Sequence, residues 1–235
     1  MNACEKAVCL VCISVSSWTS DVCGQGTFQN LNFESAVIVT VINPYAEFSS
    51  AFPSWTGYIG GIQQDLALYN NMALDSSAVG IIPSSWPYTG FIQGNYTALL
   101  QAGLALGTAN EADAALAQSG LVPNSATSLR FRAQHGGGPY GTGPGNLVLS
   151  IGGQVVPFFP LMVATNFTYY GADIRPWAGQ AQELRFTAVS PRPHADNNNW
   201  FLDSITFSDV PIPEPSVFSL AGLSILIRVL RRHKP

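Results

Sequence analysis

Ser128-Leu129-Arg130-Phe131-Arg132 decides the fold class of this chain, because apolar and polar side chains alternate through it without a break. A period of two is that of a β-strand, whose successive side chains point to opposite faces. The same alternation recurs at Leu147-Val148-Leu149-Ser150-Ile151 and at Glu183-Leu184-Arg185-Phe186-Thr187. Gly94-Asn95, Gly152-Gly153 and many Pro and Asn residues punctuate these runs as turns. Residues 109–118 carry helical propensity, but Gly and Pro bracket them closely. Short strands at this spacing predict an all-β domain built as a two-sheet β-sandwich over residues 25–209. No internal repeat is present, and 235 residues are enough for one domain of ordinary size.

Composition narrows the partners. Charged residues make up 10% of the chain, against roughly 25% in ordinary soluble domains. Polarity at the surface therefore falls to Ser, Thr, Asn, Gln and Gly. The two lysines, Lys6 and Lys234, both lie in terminal segments. Between residues 24 and 209 five arginines stand against eleven acids, a formal charge of −6. Such a surface repels phosphate backbones, which excludes nucleic acid as a partner. Cys4, Cys9, Cys12 and Cys23 crowd into the first 23 residues. No second Cys or His pair follows at a zinc-binding distance, so they read as small apolar residues of a segment that is removed.

Both ends differ from the middle. Ala7 to Val15 form a nine-residue apolar run, too short for a bilayer and about the length of a signal-peptide h-region. Residues 1–24 are therefore expected to be a signal peptide, with an ordered N-terminal strand as the alternative. At the other end, Pro211, Pro213 and Pro215 alternate with Ile212 and Glu214. Proline fixes its own φ and keeps the preceding residue out of the α region, so this segment is an extended, stiff spacer. The apolar run Val217 to Ile227 follows, and Arg228, Arg231, Arg232 and Lys234 close the sequence. Basic residues stay on the cytoplasmic side, which puts everything before the run outside.

This order resembles the PEP-CTERM sorting signal: the motif Pro213-Glu214-Pro215, then a hydrophobic helix, then an arginine-rich end. The resemblance implies that residues 210–235 are a sorting tail recognised by an exosortase, a membrane-embedded cysteine transpeptidase. It also implies a bacterial exported protein of the cell envelope or extracellular matrix, in cells that make extracellular polysaccharide. One departure bears on anchoring. Arg228 leaves only eleven uninterrupted apolar residues, about 16 Å of helix against a hydrocarbon core of ~30 Å. Val229 and Leu230 extend it only if Arg228 snorkels, so the tail suits a transient sorting station better than a permanent anchor.

The outline from about residue 27 to 208 also resembles the galactose-binding-like jelly roll of many carbohydrate-binding modules. The resemblance rests on Leu31-Asn32-Phe33-Glu34, Phe52-Pro53-Ser54-Trp55, Gly94-Asn95-Tyr96-Thr97-Ala98-Leu99-Leu100 and Trp200-Phe201-Leu202-Asp203-Ser204-Ile205. It implies first and last strands lying side by side, and a structural calcium on acids matching Glu34 and Asp203. Calcium takes six to eight oxygens, of which two carboxylates supply the charge. Ser204 stands where a second closing acid is common. The alternative for Glu34 and Asp203 is that of strand-end acids or hydrogen-bond partners.

Motifs of catalysis are missing. The sequence has no G-x-S-x-G elbow, no H-E-x-x-H and no Walker loop. The glycine-rich stretch Gly136 to Gly145 is followed by no helical pattern that would aim amides at a phosphate. No pair of carboxylates is marked out for glycoside hydrolysis. The expectation is a protein that is not an enzyme. Aromatic residues carry the stronger signal: Trp55, Tyr58, Trp86, Tyr88, Tyr140 and Trp177 sit near Gly or Pro, in loops or at strand ends. Flat rings beside amides suit the C–H faces of sugars, while the competing role for the same rings is core packing. Trp200, in an apolar run, is expected in the core. The sequence thus predicts a surface or matrix protein that associates with polysaccharide; the alternatives are a structural or adhesive surface protein that binds no sugar and, last, a secreted hydrolase with an unmarked site.

Overall fold

The computed structural model describes residues 25–73, 76–105, 110–136, 146–190 and 197–212. The predicted signal peptide and the sorting segment from Pro213 onward, including Glu214, Pro215 and Arg228, lie outside these residues, as does Tyr140. Among the described residues no helix is long and apolar enough to cross a membrane.

The described chain is nearly all β, in the order β1 Thr40–Ile42, β2 Tyr45–Glu47, α1 Phe48–Ala51, β3 Thr56–Ile59, β4 Ile62–Gln63, β5 Leu66–Tyr69, β6 Ala78–Pro83 and β7 Tyr96–Leu104. It continues through β8 Glu111–Ala112, β9 Ala114–Leu121, β10 Ser128–Gly136, β11 Leu147–Ile151, β12 Gln154–Val155, β13 Phe158–Val163, β14 Thr168–Asp173, β15 Ala181–Ala188 and β16 Asn198–Ser208. Two sheets form. One runs β1-β2-β5-β6-β7-β16-β10-β14-β13 with β8 on β7, and the other β12-β11-β15-β9-β3-β4. The pairs are antiparallel except β5 with β6. The three runs with clean alternation became β10, β11 and β15, and Gly152-Gly153 became the turn between β11 and β12.

Alternation builds the main core. Leu129, Phe131 and Ala133 of β10 face Leu184, Phe186 and Ala188 of β15 across the sandwich. Phe131 packs edge-on to Phe186 with ring centroids 5.0 Å apart. Trp200 joins this core, as expected. The segment with helical propensity, residues 109–118, forms β8 and most of β9 instead. Its alanines pair with β15 on one side and β3 on the other, and burial at the centre of a sheet outweighs propensity.

A second, smaller cluster lies on the opposite face of the large sheet. Ile82 of β6, Leu99 of β7 and Phe201 of β16 point there, covered by Trp86 and Ile92 from the connection between β6 and β7. These central strands are thus buried on both faces, and the covering loop is where the candidate site begins. First and last strands are not neighbours, in contrast to the arrangement the jelly-roll resemblance implies. β1 is the sheet edge, separated from β16 by β2, β5, β6 and β7. Only the strandless opening segment reaches β16, where Ile205 N–H donates to the Leu31 carbonyl at 2.9 Å.

Candidate functional site

Three connections at one side of the large sheet converge on an open groove of about 480 Å³. Asn43 and Pro44 come from the β1–β2 turn, Tyr69, Asn70 and Asn71 from the end of β5, and Trp86, Pro87 and Tyr88 from the β6–β7 loop. Backbone hydrogen bonds tie them together. Tyr69 N–H donates to the Pro44 carbonyl at 2.8 Å, and Asn70 N–H to that of Ile81 at 3.1 Å. Asn70 holds a φ of +49°, a left-handed conformation that asparagine tolerates better than most residues.

Trp86 is the fixed element. Its ring is buried in the cluster of Ile82, Leu99 and Phe201, and its Nε1–H donates to the Thr89 carbonyl at 3.1 Å. Tyr88 stands edge-on to it, centroids 5.1 Å apart, and is 70% exposed. An anchored ring thus holds a solvent-facing one. Asn71 Oδ1 accepts Met72 N–H at 2.8 Å, which leaves its Nδ2 as a donor for the groove. Asn43 and Asn70 are exposed and have no side-chain partner among the described residues. Among the described residues no charged side chain lines the groove. It offers one solvent-facing ring, that of Tyr88, beside asparagine amides, suited to a neutral polyhydroxylated ligand.

The other described aromatics selected from sequence do not join it. Trp55 is buried against Phe33, with Nε1–H donating to the Asn30 carbonyl, so it is a core residue. Tyr58 is half-buried on β3 beneath the Arg185 guanidinium, 4.3 Å from its ring centroid. Trp177 is half-buried in the short turn Arg175–Trp177 and packs against the core. Of the described rings selected from sequence, only Trp86 and Tyr88 come together. Sequence reasoning passed over Asn43, Tyr69, Asn70 and Asn71, although Asn-Pro at 43–44 and Tyr-Asn-Asn closing an apolar run were visible.

Glu34 and Asp203 form a different arrangement. Glu34 closes on the Gly94-Asn95 turn. Its two carboxylate oxygens accept Asn95 N–H at 2.8 and 3.0 Å, Asn95 Nδ2 at 2.7 Å and Tyr96 N–H at 3.3 Å. Asp203 is fully buried, accepting the hydroxyls of Thr97 and Ser204 at 3.1 Å each, while Gln93 Nε2 in turn donates to Ser204. A β-bulge places it there. Between Arg130↔Thr206 and Arg132↔Asp203 the last strand carries one extra residue, with Ser204 at φ +50°. Burial pushes the Asp203 carboxyl up to about 6, the hydroxyls oppose that rise, and the charge of Glu34 adds to it.

This donor set fits calcium poorly. N–H dipoles direct their positive ends at the Glu34 oxygens that a cation would need, and among the described residues no group of three or more Asp, Glu, His or Cys is assembled. Glu34 acts instead as a clamp on the turn that starts β7. Gly94, at φ +71°, is required there twice over, since an added Cβ would fall 2.0 Å from Glu34 Oε1. Gly94→Ala is expected to cost about 2 kcal/mol of stability, from the left-handed backbone and the displaced carboxylate. Urea denaturation measures it, and a loss under about 0.5 kcal/mol would deny the clamp its role.

No family model matches this sequence, and no curated protein matches it. Two solved structures resemble the chain. The carbohydrate-binding module TmCBM61, solved in complex with β-1,4-galactotriose, is 13% identical over 79% of this chain and 99% of its own, with a TM-score of 0.46. The secreted serine protease VesC from Vibrio cholerae is 14% identical over 61% of this chain but 26% of its own, with a TM-score of 0.32.

Proposed function

We propose that this chain is an exported, non-enzymatic β-sandwich that binds a neutral polysaccharide in the Trp86–Tyr88 groove. The observation that carries this reading is the pairing of a buried ring with a 70% exposed one, inside a groove lined by asparagine amides and, among the described residues, no charge. Sugar rings lay their C–H faces on such a platform, and the amides supply directional hydrogen bonds. Among the described residues the lining holds no carboxylate or imidazole of the kind that general acid–base hydrolysis uses, which supports a binding role. Export and sorting by an exosortase-type enzyme, with at least transient membrane association, rest on the Pro213-Glu214-Pro215 motif, the apolar run and the basic end.

Affinity electrophoresis through gels containing neutral polysaccharides, a β-1,4-galactan among them, tests the groove. One or more of these is expected to retard the protein, and Tyr88→Ala to weaken binding about tenfold, equivalent to ~1.4 kcal/mol. Retardation that survives both Tyr88→Ala and Asn70→Ala would place binding elsewhere. No retardation by any neutral polymer would leave a structural surface protein. For sorting, deletion of residues 213–235 is expected to move the protein out of the membrane fraction. Unchanged fractionation would refute that part alone.

A further inference from the structure

The chain leaves its last strand toward one apolar edge of the large sheet; β1, at the other edge, also exposes Val41 and Ile42 but lies away from this exit. The Val210 carbonyl accepts Ser128 Oγ at 2.7 Å and Arg130 Nη2 at 3.0 Å, which draws the chain off β16 and over β10. Two residues later Ile212 lies on Gly171 of β14, beside Leu161 of β13. A Cβ on Gly171 would fall 2.3 Å from Ile212 Cδ1 and 2.8 Å from Leu161 Cδ1, so glycine is what admits this crossing. Neighbouring strands lie about 4.8 Å apart, which brings Ile212 within one strand of the edge of the sheet.

That edge is β13, Phe-Phe-Pro-Leu-Met-Val, without a charged residue. Phe159, Met162 and Val163 are exposed at 52%, 52% and 76%. Soluble edge strands are commonly guarded by charge, and Pro160 is the one such device here. Arg130 and Arg132 occupy the outward positions of β10 nearby, and Asp173 of β14 is bridged by Arg175 at 2.5 Å. Apolar, aromatic and arginine side chains together are the composition of a surface that sits in the headgroup region of a bilayer. The sequence continues from Ile212 into the proline spacer.

We propose that the β13 edge is a membrane-docking face, seated on the lipid surface that receives the C-terminal tail. It rests on the sorting reading above and adds to it an orientation: β13 and β14 face the bilayer, and β1, at the far edge of the same sheet, faces away. The full chain bound to vesicles of phosphatidylethanolamine and phosphatidylglycerol provides the test, by flotation and by hydrogen exchange read with mass spectrometry. Peptides covering residues 158–163 are expected to exchange about tenfold more slowly on vesicles than in solution, while those over β1 stay unchanged. The triple variant Phe159→Ser, Met162→Ser, Val163→Ser is expected to float but to lose that protection. Flotation with unaltered exchange at 158–163 would overturn the docking face and leave the tail reading standing. Protection already present in solution would mean that the tail or a second copy covers the edge, and would overturn it too. A chain that does not float overturns both.

Discussion

Phe131→Ala is expected to lower the free energy of unfolding by about 4 kcal/mol, in the middle of the range for a buried phenylalanine. Phe131 is fully buried on β10 and touches both sheets. It stacks on Tyr170 with centroids 5.4 Å apart, meets Phe158 edge-on at 5.2 Å, and meets Phe186 of the opposite sheet at 5.0 Å. No single neighbour can move in to fill the space, because Tyr170 and Phe158 are already packed against each other at 5.2 Å. The cavity term therefore adds to the lost transfer energy. In a domain of this size the change corresponds to a fall in Tm of about 10 °C. Phe159→Ala on β13, the edge strand beyond β14, half exposed, serves as control and is expected to shift stability by less than about 0.5 kcal/mol. Similar losses in the two variants would mean that the ring cluster is not the joint between the sheets.

That joint is also where the sequence speaks most plainly. Alternation at 128–132, 147–151 and 183–187 reports a one-sided burial, and those strands bury one face each. Where both faces are covered, the signal fails. β6, Ala78–Pro83, is buried throughout and shows no alternation, because the 84–95 loop closes over its outer side. β9 fails for another reason: its run of alanines suits a helix locally, and only its place between β15 and β3 makes it a strand. The site divides in the same way. Trp55 and Trp86 both stand beside proline or serine, yet one fills the core and the other anchors a groove, a difference set by partners more than 20 residues away. Glu34 and Asp203 were legible as a pair, but not that N–H donors fill the first while the second is sealed from water.

That seal has the largest consequence for behaviour in solution. Burial raises the Asp203 carboxyl from 3.8 to about 6, so at pH 5 the folded protein holds a proton that the unfolded chain has released. Stability falls as pH rises wherever the native state binds more protons. The contribution of Asp203 is therefore fully present below its unfolded value near 3.8 and is lost as pH rises through about 6. A rise of this size corresponds to about 3 kcal/mol across that window, with the domain weaker at neutral pH than in mild acid. Asp173, which Arg175 holds below the usual carboxylate range, works in the opposite direction at lower pH. Its ion pair is largely exposed and contributes little. Thermal unfolding between about pH 4 and pH 8 checks the sign, and Asp203→Asn isolates the cause by flattening the curve. Parallel curves for wild type and variant would show that Asp203 is solvated or satisfied in the folded state. The same titration decides the calcium question. A cation held between Glu34 and Asp203 would favour both ionised carboxylates and erase the slope, whereas the N–H clamp on Glu34 predicts that millimolar calcium leaves it unchanged.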